Sequence, residues 1–179
     1  MSPRIVILTG ERGVGKTTVC RKTVALARAR GYTCGGVLTL SRPDGDRDVL
    51  DVRSGEVRRL TLEPGAASAV VQGRFRFDPV TLAWGGDALA QALPCHLFVV
   101  DELGPLELQR GEGWIRALDV LHAADFTLAL VVVRPELVEP AQSALPPSAT
   151  TVIPVTTRNR DELPQALWEM LEEKPASTF

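Results

Sequence analysis

The sequence predicts an α/β fold in which a mainly parallel sheet is flanked by helices and carries an antiparallel hairpin insert over about residues 33–77. Three observations lead there. Apolar runs of strand length alternate with helical patterns from Arg4 onward; runs such as Leu97-Phe98-Val99-Val100 are continuous, as in strands covered on both faces; and after Thr33 short segments are divided by turn signals at Pro43-Asp44-Gly45 and Ser54-Gly55. The chain has 179 residues, 45% of them hydrophobic, enough for one buried core, so one domain over 1–179 is expected.

In chain order, Arg4 to Leu8 reads as the first strand. Thr17 to Arg30 comes next as a helix with Cys20, Val24 and Ala27 on one face and Gly31 placed to stop it. Within the insert, Gly36 to Leu40, Asp48 to Arg53 and Val57 to Leu62 have strand character. Asp78-Pro79 offers an N-cap and a proline at the first helical position, while Gly85-Gly86 weakens the helix begun there. Leu97 to Val100 is a strand, Trp114 to Ala123 a helix, and Leu128 to Val133 a strand. Pro140 to Pro147 reads as a loop, Thr151 to Val155 as the last strand, Leu163 to Leu171 as the last helix, and about 172–179 as a fraying tail.

The formal net charge of -2 leaves no clustered basic excess, so no nucleic-acid partner is expected and any anionic ligand must be held locally. No apolar run reaches the length of a membrane span, and Ile5 to Leu8 is too short for a signal-peptide core, so no membrane association and a cytoplasmic location are expected. Cys20, Cys34 and Cys95 lack Cys-x-x-Cys spacing, and His96 and His122 have no neighbouring ligand, which argues against a disulfide framework or a zinc site.

The strongest motif is Gly10-Glu11-Arg12-Gly13-Val14-Gly15-Lys16-Thr17-Thr18, a match to G-x-x-x-x-G-K-[ST], the Walker A pattern, lying between the first strand and the first helix. Glycines let the backbone turn its N–H groups inward, and the positive helix end adds to the attraction for phosphate. Lys16 supplies a full charge to β- and γ-phosphates, Thr17 a hydroxyl for magnesium, and Thr18 a reach to the α-phosphate. The motif thus predicts a nucleoside triphosphate as ligand and magnesium as cofactor.

Leu97-Phe98-Val99-Val100-Asp101-Glu102 is an apolar strand ending in two acids, the Walker B pattern. Asp101 is expected to hold magnesium, and Glu102 to orient or deprotonate the attacking water. Glu107 either lies near the nucleotide, with a catalytic role, or is a solvated acid after the Pro105 turn. Arg134, at the end of an apolar strand, either meets transition-state charge or is a surface arginine. Asn159 either touches the base or caps the last helix in a box with Glu162; Asp161 as the cap puts Pro164 at the third helical position and leaves Asn159 free. Trp84, Trp114 and Trp168 read as packing residues.

Together these residues resemble the cancer-related and thermophilic nucleoside-triphosphatase family over most of the chain. The family's G-x-G-K-T-T is similar to Gly13-Val14-Gly15-Lys16-Thr17-Thr18, its D-E-[IL]-G-x-[ML]-E run to Asp101-Glu102-Leu103-Gly104-Pro105-Leu106-Glu107, and its V-T-x-x-N-R stretch to Val155-Thr156-Thr157-Arg158-Asn159-Arg160. The resemblance implies a RecA-like core and slow, magnesium-dependent hydrolysis of several nucleoside triphosphates to diphosphate and phosphate. The chain departs from the family pattern at Thr39-Leu40-Ser41-Arg42-Pro43-Asp44, which lacks the acid of T-x-E-x-R, and at Arg12, where a proline is common.

A nucleoside or nucleotide kinase uses the same cradle but usually needs a late arginine-bearing lid, and Glu136 to Ser148 contains no Lys or Arg. The insert's arginines could line an acceptor site instead. A nucleotide-dependent switch is the third reading, in which hydrolysis times contact with a protein partner that the sequence does not specify.

Overall fold

The computed structural model describes residues 3–63, 65–66 and 69–173. Strand β1 (Arg4–Thr9) leads into helix α1 (Lys16–Ala29), and β2 (Cys34–Ser41), β3 (Arg47–Asp51) and β4 (Val57–Arg59) come after it. A small hairpin of β5 (Val70–Gln72) and β6 (Phe75–Phe77) precedes α2 (Pro79–Ala90), β7 (Cys95–Leu103), the single turn α3 (Pro105–Leu108) and α4 (Arg116–Ala123). Then come β8 (Phe126–Val133), α5 (Val138–Ala144), β9 (Thr150–Pro154) and α6 (Leu163–Glu172).

Seven strands form one sheet in the order β4-β3-β2-β7-β8-β1-β9, and β5-β6 form a second. The five strands from β2 to β9 in that order are mutually parallel, while β3 and β4 extend the β2 edge antiparallel. Strand β8 therefore separates β1, which feeds the glycine-rich loop, from β7, which carries the acids. This is the expected RecA-like arrangement.

Both sheet faces are covered, which is why the central strands need no hydrophobic alternation. Ile5 and Ile7 of β1 face Leu82, Leu89, Val120, Leu121, Leu137 and Ala141, supplied mainly by α2, α4 and α5. Val6 and Leu8 face Val19, Cys20, Val24, Leu167 and Trp168 of α1 and α6. Helix α1 ends where expected: Gly31 N–H donates to the Arg28 carbonyl and Tyr32 N–H to that of Ala27, a Schellman closure.

Three expectations are corrected. The region 33–77 is not one insert, because β2 is a core strand paired in parallel with β7; only β3 to β6 are added to the core. Helix α2 runs on through Gly85 and Gly86: a Cβ on Gly85 would lie 2.7 Å from Trp114 Nε1, so the residue makes room for the indole, whose N–H donates to the Leu82 carbonyl at 3.2 Å. The start of that helix is as expected, with the Asp78 carboxylate accepting from Val80 and Thr81 N–H.

The stretch Pro140 to Pro147 is mostly helix α5, not loop. Pro140 occupies its third position, where the backbone N–H would be unpaired in any case, and Leu137, Ala141 and Leu145 bury its apolar side. The last helix is capped by neither Asn159 nor Asp161. Turns run straight into it, with Glu162 and Leu163 N–H both donating to the Asn159 carbonyl, and Pro164 falls in its first turn. Of the expected fraying tail, Glu172 closes α6 and 174–179 lies outside the described residues.

Candidate nucleotide and metal site

The loop between β1 and α1 can be built only with glycine at its first position. Gly10 has φ +141°, and a Cβ there would come 2.4 Å from the Val155 carbonyl oxygen. Glu11, Arg12 and Gly13 are exposed, Val14 and Gly15 are half-buried, and Val14 N–H closes a turn on the Glu11 carbonyl at 3.2 Å. Helix α1 starts at Gly15 with no side-chain cap and no acid in its first turn, so its first N–H groups are left for an anion.

Lys16 Nζ donates to the Gly10 carbonyl and, at 3.0 Å, to that of Glu11, which holds the ammonium within the loop. Burial pushes its pKa down, with the charges of Glu102 and Asp101 opposing. Thr17 is half-buried and Thr18 exposed on the first turn. Arg160 Nη1 donates to the Val14 carbonyl at 3.3 Å, and with Gly15, Thr18 and Asp161 it lines a cavity of about 280 Å³ beside the loop.

The carboxyl end of β7 supplies the acids. Its pairing with β8 shifts register between Asp101 and Leu103, a bulge that takes Glu102 out of the ladder and re-aims it. Asp101 is 3% exposed, and its Oδ2 is buried with no hydrogen-bond partner among the described residues; the Thr9 hydroxyl at the end of β1 is in the same condition. Burial pushes the Asp101 carboxyl up to about 7, against the pull of the Thr17 hydroxyl and of the Lys16 charge. Thr39 Oγ1 donates to the Asp101 carbonyl and so ties β2 to this end of β7.

A buried, unpartnered carboxylate oxygen near a threonine hydroxyl is a hard-oxygen donor set, and it fits magnesium. Among the described residues no cluster of three or more His, Cys, Asp or Glu offers an alternative metal seat.

Glu102 and Arg134 meet. Arg134 Nε donates to Glu102 Oε1 at 2.8 Å, and Glu102 Oε2 has no hydrogen-bond partner among the described residues. The guanidinium of Arg134 therefore stands beside the acids, joined to the proposed base rather than lying free on the surface.

Glu107 is no solvated acid. It is 6% exposed, and its two carboxylate oxygens accept from Gly104 N–H at 2.9 Å and Trp114 N–H at 2.8 Å. Burial raises its pKa. Both oxygens are thus occupied in folding the segment after β7. The Asn159 side chain is likewise engaged locally, accepting from Thr156 N–H at 2.8 Å and donating to the Pro154 carbonyl at 2.9 Å. Trp114 and Trp168 are core residues, and Trp84 lies under the Arg58 guanidinium.

Sequence reasoning passes over Thr9, Thr39 and Arg160. Arg160 adjoins Asn159 within one motif and is within its reach; Thr39 opens the stretch compared with T-x-E-x-R but its contact with Asp101, like the place of Thr9, comes from strands that meet only in the sheet.

The parallel sheet, the glycine-rich cradle and the acid-tipped strand one position removed from it define a P-loop nucleoside-triphosphatase fold. The NTPase family matches residues 5–168, and the chain belongs to that family. It is 33% identical over 179 residues to the nucleoside-triphosphatase THEP1 of Methanopyrus kandleri, covering 96% of this chain and 97% of that one. To the nucleoside-triphosphatase THEP1 of Methanosarcina acetivorans it is 30% identical over 173 residues, covering 90% and 93%.

Two solved structures share the fold. THEP1 from Aquifex aeolicus superposes with a TM-score of 0.74 at 18% identity, over 94% of this chain and 99% of that one. A human cancer-related nucleoside triphosphatase gives 0.71 at 26% identity, over 96% and 100%. No helix among the described residues is long and apolar enough to cross a membrane.

Proposed function

We propose that this chain hydrolyses nucleoside triphosphates, ATP and GTP among them, to diphosphate and phosphate with the help of magnesium. The observation that carries the reading is the pair of acids at the end of β7: among the described residues, one buried oxygen of Asp101 lacks a partner, and Glu102 has one oxygen fixed by Arg134 and the other without a hydrogen bond. The loop of Gly10 to Gly15 and the start of α1 bind the phosphates through backbone N–H groups, and Lys16 exchanges its loop carbonyls for phosphate oxygens. Thr17 and Asp101 would hold magnesium, which when bound neutralises charge on the β- and γ-phosphates.

Glu102 offers Oε2 to the attacking water and takes its proton as the oxygen–phosphorus bond forms. The bond between the γ-phosphorus and the bridging oxygen breaks, and its electron pair leaves on the diphosphate. Arg134 keeps Glu102 oriented, and exclusion of bulk water around the buried Asp101 strengthens the interactions between these charges.

The test is phosphate release from ATP, GTP, CTP and UTP with magnesium and with EDTA, alongside labelled ATP offered to a panel of nucleosides. Free phosphate is expected in magnesium and none in chelator. Full release in EDTA would overturn the roles of Thr17 and Asp101, and label recovered on a nucleoside would make the chain a kinase.

A further inference from the structure

The antiparallel additions to the core carry arginines in two different situations. Arg42 pairs with Asp44 and Asp48, Arg58 with Glu56, and Arg59 with Asp46 and Glu63. Arg47 and Arg74 have no carboxylate in salt-bridge contact among the described residues. They converge instead, together with Arg12 of the phosphate loop, on the ring of Phe75: the guanidinium carbons lie 5.2, 4.9 and 5.9 Å from its centroid, in that order. A phenyl face attracts a cation, but three like charges around one ring also repel one another, and among the described residues none of the three has a carboxylate in salt-bridge contact.

Their position is defined by the fold. Arg47 opens β3 opposite Ser41, the last residue of β2, and donates to its hydroxyl; β2 is parallel to β7, so this is the edge that carries the acids. Arg74 sits at the turn of the β5-β6 hairpin, which leans on the same edge. Arg110 Nη1 holds the Val71 carbonyl at 3.0 Å, and Gln72 crowds Gly104 so closely that a Cβ there would be 3.3 Å from its Nε2. Burial lowers the pKa of Arg47, with Arg12 and Arg74 adding to that shift and Glu102 and Asp101 opposing it, so the cluster is within electrostatic reach of the acids.

We infer that Arg12, Arg47 and Arg74, gathered on Phe75, form a second phosphate subsite beside the glycine-rich loop. Three guanidinium forks approaching from the loop, the sheet edge and the hairpin suit a compact tetrahedral dianion better than a planar carboxylate. The chain's net charge of -2 makes the cluster a local exception rather than part of a basic surface. The phosphate has two possible sources, the γ-phosphate of the bound triphosphate or a separate phosphate such as the released product. The inference rests on the cradle binding the nucleotide.

Calorimetric titration of the full chain separates the cases, with orthophosphate, a nucleoside diphosphate and a non-hydrolysable triphosphate analogue as probes and Arg47→Met, Arg74→Met and Lys16→Ala as variants. If the subsite takes the γ-phosphate, each arginine variant weakens the triphosphate analogue by about tenfold or more and leaves the diphosphate within about twofold, the scale of a lost charge-assisted contact. If it takes a separate phosphate, wild type saturated with diphosphate binds orthophosphate and the arginine variants do not. Arg74 is exposed at a turn, so its variant decides the matter even if Arg47→Met fails to fold. Arginine variants that match wild type for all three probes overturn the subsite while Lys16→Ala still loses nucleotide. Diphosphate binding that survives Lys16→Ala unchanged would instead overturn the cradle.

Discussion

The carboxyl edge of the parallel strands and the antiparallel margin beyond β2 meet at one site, but different forces hold them. Asp101, at the tip of a strand whose residues Leu97 to Val100 are fully buried, is fixed by packing on both faces of the sheet. The margin is thinner: β4 and both strands of the hairpin have only exposed or half-buried residues, β3 is anchored through the buried Val49, and the ion pairs of Arg42, Arg58 and Arg59 around β3 and β4 are surface pairs of little individual worth. The core can therefore keep a carboxylate where it is electrostatically uncomfortable. The margin brings cations to the same place, Arg47 on a strand paired to β2 and Arg74 on a hairpin with little buried surface, so the hairpin side is the part of the site that costs least to move.

The largest effect should come from the rigid side. Glu102→Gln keeps size and reach but removes the charge and the ability to accept a proton, so turnover should fall by about 10² to 10⁴, or roughly 3 to 5 kcal/mol of barrier, with nucleotide affinity little changed. Single-turnover hydrolysis beside equilibrium binding measures both. A near-normal rate would remove Glu102 from the base's role.

Glu107→Gln should act on stability first. An amide cannot accept from both Gly104 and Trp114 N–H, and leaving one buried donor unmet costs about 1–3 kcal/mol in a denaturant titration. Its pH dependence has a definite sign. Because burial raises the folded-state pKa of Glu107, the unfolded chain gives up this proton first as pH rises; this group's contribution is full below the unfolded pKa and is lost as pH climbs through the folded value. The glutamine variant should lack that part of the slope. A catalytic rather than structural role for Glu107 would show as lost turnover with an unchanged unfolding midpoint.

The smallest effect belongs to the margin. Arg59→Ala removes ion pairs to Asp46 and Glu63 that are open to solvent, and the thermal midpoint should move by no more than the scatter between replicate melts. A clear drop would mean that the ion-pair network stiffens the margin, and the contrast between the two edges would weaken.

How much of this is readable in the chain depends on the range of the interactions involved. Gly10 to Thr18 and Val100 to Glu102 are legible because each motif is contiguous and set at a strand end, where its chemistry needs it. Helix α5 is not, because Pro140 reads as a breaker while its tolerance depends on falling in the first turn. The surroundings of Glu107 are hidden because burial is a tertiary property, and its partner Trp114 N–H lies seven residues further on. The pairing of Arg134 with Glu102 joins residues 32 apart, and the gathering of arginines on Phe75 needs a hairpin to fold back over the sheet. Neither leaves a periodic or local trace.

The place of β8 has a further consequence. Neighbouring strands stand about 4.7–4.9 Å apart, so the strand that feeds the cradle and the strand that bears the acids are separated by two such steps, roughly 10 Å. That gap works as a ruler with only whole-number marks. Point mutations cannot shorten it by an ångström, because the buried strand between has no slack on either face. Variation in how fast such a chain turns over must therefore arise in what fills the span, the side chains and segments at its rim, and not in the span itself.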